Sequence, residues 1–128
     1  WESVVWSKAL VNCSINPLTA LLSVRNGHLA ESPSGRELVS RVAREGAAVA
    51  EAAGIDVPGD LATASVAVAR ATQRNISSMR QDFERGSRAE LEQINGIIVA
   101  RAAQSATPAH TLRAITLLAR AKAAALRT

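Results

Sequence analysis

The sequence predicts an all-α protein, a multi-helix bundle of six or seven helices, on three observations. Alanine occurs 26 times against three aromatic residues, Trp1, Trp6 and Phe83, with no tyrosine. The core is therefore aliphatic and its elements approach closely, whereas sandwiches and barrels need aromatic and β-branched runs that this chain lacks. Apolar residues recur at helical rather than alternating spacing, and caps and breakers cut the chain into segments of helical length. At 128 residues there is enough chain for one domain with a sizeable core and too little for two.

The first helix is expected over 2–15, closed by Asn16-Pro17 because the proline ring disfavours α conformation in the residue before it. A second short helix takes up 17–24 and ends at Asn26-Gly27, a pair suited to left-handed backbone, and a loop follows to Ser32-Pro33. Ser34 and Glu37 have capping-box spacing for a helix running to about Ala53, where Gly54 stops it. After a turn at 56–59, Asp60 caps a helix over 61–74 whose apolar positions include Leu61, Ala64, Val68 and Ala71. Residues 75–78 interrupt the pattern, and Ser78 with Gln81 opens a helix that closes near Gly86. Ser87 and Glu90 repeat the capping box and begin a helix to about Ala103, with Leu91, Ile94, Ile98 and Ala102 toward the core. Thr107-Pro108, a cap followed by proline at the first helical position, starts the last helix, which reaches about Leu126. No strand and no repeat of constant period is expected.

Fifteen Lys and Arg against eleven Asp and Glu give a net charge of +4, which permits anionic partners without choosing one. The arginines are scattered, with no adjacent basic run and no aromatic interleaving for base stacking, so nucleic acid is not an expected partner. Cys13 is the only cysteine, which excludes an internal disulfide framework and a thiolate zinc cluster and fits a reducing cytoplasm. His28 and His110 lack the spacing and carboxylate company of a metal site. No apolar run approaches the roughly 18–20 residues of a membrane span, and residues 1–12 already mix in Glu2, Lys8 and Asn12. The chain opens without methionine and is expected to be part of a longer protein.

Lys8, Asn12 and Asn16 follow at intervals of four and span an arc of about 80° on one helix. Val4, Val5, Val11 and Ile15 share their angular positions or lie beside them, so this polar line runs among apolar residues rather than along a face of its own. A sheltered ammonium needs an acidic neighbour or an anionic ligand, so the stripe reads as a site. Against it stands a plain structural reading in which Lys8 snorkels to solvent and the asparagines cap broken backbone. Candidates for a second wall are Asn75, Ser77, Ser78 and Glu90, each with a structural reading of its own: a helix end, a cap, or completion of the box with Ser87. Cys13 lies about 140° from Lys8 and suits a packed core thiol better than a nucleophile.

Several segments together resemble the ketopantoate reductases (2-dehydropantoate 2-reductases). Trp6-Ser7-Lys8, Asn12 and Asn16-Pro17-Leu18-Thr19-Ala20-Leu21 resemble the family's W-x-K-x-x-x-N-x-x-x-N-P-L-T-A-L signature, and Arg25-Asn26-Gly27-His28-Leu29 its R-N-G-x-L. Asn75-Ile76-Ser77-Ser78-Met79-Arg80-Gln81-Asp82 resembles N-x-S-S-M-x-Q-D, and Glu90-Leu91-Glu92-Gln93-Ile94-Asn95-Gly96 resembles E-I-D-x-I-N-G. The resemblance runs over nearly the whole chain and implies a helical domain like the C-terminal domain of 6-phosphogluconate dehydrogenase. It also implies an N-terminal Rossmann domain in cis that holds NADPH, and no G-x-G-x-x-G turn for one occurs here.

By the same resemblance, Lys8 is the general acid and binds substrate, Asn12 and Asn16 hold its polar groups, and Asn26 contributes nearby. Asn75, Ile76, Ser77 and Ser78 take its carboxylate and hydroxyl end, while Glu90 sits near Lys8 and the cofactor as a second catalytic group. The implied reaction reduces ketopantoate to D-pantoate in pantothenate biosynthesis. Departures fall outside the stripe: Ala89 where threonine is common, Glu92 for aspartate, His110 for asparagine. Two other readings stay open, a related NADPH-dependent reductase of another 2-oxo acid and a helical interaction or dimerisation module. A homodimer stays open as a further partner.

Overall fold

The computed structural model describes residues 2–57 and 59–126, and among them the backbone forms helices and turns with no strand. Helix α1 (Glu2–Leu22) runs through the middle of the bundle. Around it lie α2 (Asn26–Glu31), α3 (Pro33–Ala52), α4 (Leu61–Ala71), α5 (Ser78–Glu84) and α8 (His110–Leu126). A single turn, α6 (Ala89–Leu91), passes through a π turn (Glu92–Gly96) into α7 (Ile97–Gln104). No helix among the described residues is long and apolar enough to cross a membrane.

The alanine content has the expected consequence. Ala43, Ala50, Ala69 and Ala119 are fully buried, and a side chain on Gly46 of α3 would fall 2.7 Å from Leu10 of α1. The larger part of the core joins α1, α3, α4 and α8 through Leu10, Leu18, Val39, Val42, Leu61 and Leu112. A smaller part gathers Met79, Phe83, Leu91 and Ala123 at the C-terminal end of α1. The second cluster matters for function because it seats the 75–91 segment against α1.

Where the chain departs from local expectation, a distant residue is the cause. Helix α1 does not stop at Asn16-Pro17 but continues to Leu22. Pro17 has no amide to offer the carbonyl of Cys13. Asn95 Nδ2, from the π turn, reaches that carbonyl at 3.5 Å, and residues 13–20 are all buried, so packing holds the helix on course. Asn26-Gly27 opens α2 where a loop was expected, and the left-handed residue is Ser23, φ 55°. Gly27 is required for a close approach instead: a Cβ there would lie 2.6 Å from Cβ of Gln73.

Caps shift by a residue or two through local alternatives. Ser32, followed by Pro33, caps α3 by accepting from Gly35 N at 3.1 Å, and Glu37 pairs with Arg41 rather than reaching back to Ser34. Asp60 caps α4 as expected, accepting from Ala62 N and Thr63 N. That helix ends three residues early, at Ala71, and buries Ala62, Ser65 and Ala69, leaving Val68 39% exposed. Ser77, not Ser78, caps α5.

The expected 87–103 helix is interrupted by the π turn, and the box at Ser87 does not form: Glu90 N donates to Asp82 Oδ2 at 3.2 Å. The extra residue of the π turn brings Asn95, rather than Ile94, fully into the core. Asn95 Nδ2 also donates to Thr116 Oγ1 at 3.4 Å, while Oδ1 is enclosed without a partner. An unpaired buried acceptor costs about 1–3 kcal/mol.

Helix α8 begins at His110 and is capped from 66 residues away. Glu45 of α3 accepts from Thr111 N at 3.1 Å and Leu112 N at 2.7 Å. A carboxylate there satisfies two orphan amides and complements the helix dipole. Glu45→Ala is therefore expected to lower stability by about 1–2 kcal/mol, read as a fall in unfolding midpoint with an unchanged denaturant slope.

Glu92 in the π turn holds Arg120 of α8 through two bonds, 2.8 and 2.9 Å. The guanidinium hydrogen bond keeps the Glu92 carboxyl below its ordinary range. A depressed carboxylate stabilises the fold above its unfolded pKa, and that contribution fades as pH falls through the folded value. Both side chains are about a third exposed, so the pair is worth less than about 1 kcal/mol. Glu92→Gln should melt slightly lower than the parent at pH 7, and the two melting curves should converge below about pH 4.

Candidate substrate site

The site is built on α1, the α2 start and the segment from Thr72 to Glu90. Along α1 the polar stripe sinks progressively: Lys8 is exposed, Asn12 half-buried and Asn16 only 8% exposed. The expectation of a sheltered ammonium is thus corrected at Lys8. Its apolar neighbours Val4 and Val5 are themselves 67% and 55% exposed, so this end of α1 borders open space rather than core. Lys8 has no hydrogen-bond or ion-pair partner among the described residues. It lines, with Ser7, Val11 and Asn12, an open groove of ≈ 560 Å³ whose other wall is Leu61, Ala64 and Val68 of α4. Ala64 and Val68, which sequence would bury, are exposed along this groove, whereas Leu61 at its edge is buried as expected.

The other named residues meet in a connected network. Asn26 N donates to Asn75 O at 3.1 Å and Asn26 Nδ2 to Thr72 Oγ1 at 2.9 Å, leaving Asn26 Oδ1 enclosed and unpaired. Asn75 is exposed, and the half-buried Ile76 accepts Gln81 Nε2 on its carbonyl at 3.1 Å. The Thr19 hydroxyl donates to Asn16 O at 2.9 Å, so the 2.6 Å contact with Ser77 has Ser77 as donor. Ser77 Oγ also accepts from Arg80 N. Its hydroxyl is fully engaged in tying α5 to α1. Ser78, by contrast, is exposed and donates to Glu90 Oε1 at 2.7 Å, while Glu90 Oε2 is enclosed without a partner.

Glu90 was expected beside Lys8. No ion pair or hydrogen bond joins the two, and Ser78 is the side chain that Glu90 engages. Thr19 is the residue that sequence reading missed, although it continues the stripe three positions after Asn16. Cys13 is buried, and burial, followed by Glu45, holds its thiol far above the usual value, which suits packing rather than nucleophilic attack. Among the described residues no three His, Cys, Asp or Glu side chains converge as a metal site would need.

Together these features define an all-helical domain that carries Lys8 on the same helix as neutral amides and hydroxyls. Residues 1–123 match the family model described as Ketopantoate reductase PanE/ApbA C terminal. The chain is 45% identical over 101 residues to the 2-dehydropantoate 2-reductase of Halobacterium salinarum, covering 79% of this chain and 33% of that protein. Its fold is similar to that of the PanE/ApbA family ketopantoate reductase from Ralstonia eutropha, with a TM-score of 0.90 and 31% identity over 98% of this chain and 42% of the other. A likeness in fold alone extends to D-mandelate dehydrogenase, whose ternary structure holds NADH and anilino(oxo)acetate: TM-score 0.87, 22% identity, 99% of this chain and 42% of that one. The chain belongs to the family of ketopantoate reductase C-terminal domains. It spans about a third of the length of its curated relatives.

Proposed function

We propose that this domain is the substrate-side part of an NADPH-dependent 2-dehydropantoate 2-reductase, which reduces ketopantoate to D-pantoate in the cytoplasm. The observation that carries this reading is the Lys8, Asn12, Asn16 stripe of α1, whose Lys8 and Asn12 line the α1–α4 groove, within a chain that belongs to that family. A preceding Rossmann domain in cis would hold most of the NADPH. When bound, the dinucleotide supplies hydride to the C2 carbonyl carbon.

Lys8 answers the charge that appears on the carbonyl oxygen. An ammonium is protonated at neutral pH, so it can both stabilise an oxyanion and protonate it. Its exposure in this domain leaves Nζ free to meet a ligand in the groove. Asn12 and Asn16 offer amide donors and acceptors to hydroxyl and carboxylate without adding charge. Asn75 and Ser78, exposed on the 72–90 segment, offer further polar contacts to the substrate; Asn26, Ile76 and Ser77 hold that segment in place through the bonds described above. The unpaired Oε2 of Glu90 is an acceptor suited to an amide or hydroxyl donor such as the dinucleotide carries, and its partner Ser78 keeps the carboxylate oriented.

The test is NADPH oxidation by the full-length protein with ketopantoate, beside NADH and a series of other 2-oxo acids. Preference for ketopantoate with NADPH is the expected result; a higher kcat/KM with a different 2-oxo acid would reassign the substrate, and no turnover with any would end the reading.

A further inference from the structure

Asn95 is an expensive residue to keep where it is. It sits on a π turn, fully buried, with one amide oxygen unpaired, at a position that a leucine would fill without an orphan acceptor. Its orientation is not free. Thr116 spends its only hydroxyl proton on Leu112 O at 2.7 Å, so toward Asn95 it can only accept, which turns Nδ2 to Thr116 and, on its second hydrogen, to Cys13 O. Cys13 O is the one carbonyl in this part of α1 whose helical donor is replaced by a proline nitrogen.

Helix α1 carries its site residues on both sides of that point. Asn16 lies beside it and Thr19 beyond it, and the C-terminal half of the helix is tied down independently: Thr19 to Ser77 at 2.6 Å, and the carbonyls of Ala20 and Leu21 to Lys122 Nζ at 2.6 and 3.0 Å. Lys8 and Asn12 lie on the N-terminal half, which among the described residues has no hydrogen bond or ion pair to the 72–90 segment. The course that α1 takes past Pro17 therefore sets where Lys8 and Asn12 stand relative to Asn16, Ser78 and Glu90. A proline with no compensating donor is the usual cause of a kink.

We propose that Asn95 is a positioning residue: its amide stands in for the backbone donor that Pro17 lacks and so aligns the Lys8 and Asn12 half of α1 with the rest of the substrate site. The proposal rests on the reductase reading for its kinetic consequence, while its structural consequence does not.

A double-mutant cycle in the full-length protein tests it, because Pro17→Ala returns an amide to position 17 and makes Asn95 dispensable. Asn95→Leu is expected to lower kcat/KM for ketopantoate by about tenfold or more, with KM for NADPH nearly unchanged. In the Pro17→Ala background the same substitution should cost less than about threefold. Crystals of the same proteins give a readout independent of activity: residues 2–13 should swing relative to 17–22 in Asn95→Leu and return in the double variant. If the leucine variant does not fold, Asn95→Ser takes its place in the cycle. Equal losses in both backgrounds, or an unmoved α1 in the Asn95 variant, would overturn the proposal. Absence of ketopantoate turnover in the parent would defeat the reductase reading alone and leave the helix course to decide this one.

Discussion

Lys8→Ala in the full-length protein is expected to lower kcat for ketopantoate reduction by about 10²-fold or more. The loss should fall on kcat because the oxyanion that Lys8 meets develops only as the carbonyl is reduced; a contact present in the ground state alone would raise KM instead. Lys8 is exposed and engages no other side chain among the described residues, so the melting temperature should not move. Lys8→Arg separates the two roles. It keeps the charge that stabilises the oxyanion but is a poor proton donor, so kcat should recover only the electrostatic part of the loss. Steady-state NADPH oxidation read alongside thermal unfolding settles both points, and a Lys8→Ala enzyme with parental kcat would remove Lys8 as the acid.

Gly27→Ala should produce the largest effect of any single methyl. The added Cβ would lie 2.6 Å from Gln73 Cβ, 2.9 Å from Gln73 O and 3.0 Å from its Cα, and backbone cannot step aside as a flexible side-chain tip can. The 3.1 Å bonds from Gly27 N to Gln73 O and from Asn26 N to Asn75 O run through the same contact. Forcing α2 and the 72–75 segment apart is expected to cost about 1–3 kcal/mol of stability. It should also displace Asn75 and the serines after it, and a displacement of that order lowers kcat/KM by about tenfold or more. Chemical denaturation and kinetics on one preparation check the pair of effects. Stability within about 0.5 kcal/mol of the parent would mean that the two segments can separate without strain.

Much of the site was legible because its chemistry is written in residue types at fixed spacing. Lys8, Asn12 and Asn16 lie on one line of α1 whatever the rest of the molecule does, since three residues at intervals of four must. Asn75 to Ser78 were recognisable as a helix break because amide and hydroxyl side chains compete with the backbone for its bonds. The degree of shelter was not legible. Valines beside Lys8 suggested core, yet whether a valine is covered depends on what packs over it, and among the described residues Val4 and Val5 are left more than half exposed. Glu90 shows the same limit: spacing alone joined it to Ser87, whereas Asp82, eight residues back, took the amide and left the carboxylate for Ser78.

The amino-acid order by itself determined the helical class, the Asp60 cap, the turns at Gly54 and Gly86, and the residues that could do chemistry, because each follows from local sterics and hydrogen bonding within a few residues. Tertiary structure alone decided that α1 passes through Pro17, that Asn26-Gly27 starts a helix, that Asn95 turns inward on a π turn and that Glu45 caps α8. In each of these the local preference is weak and a partner from 46 to 82 residues away either supplies the missing hydrogen bond or occupies the space, as Asn95 does for Cys13, Gln73 for Gly27 and Glu45 for Leu112. Such partners exist only once the chain has folded.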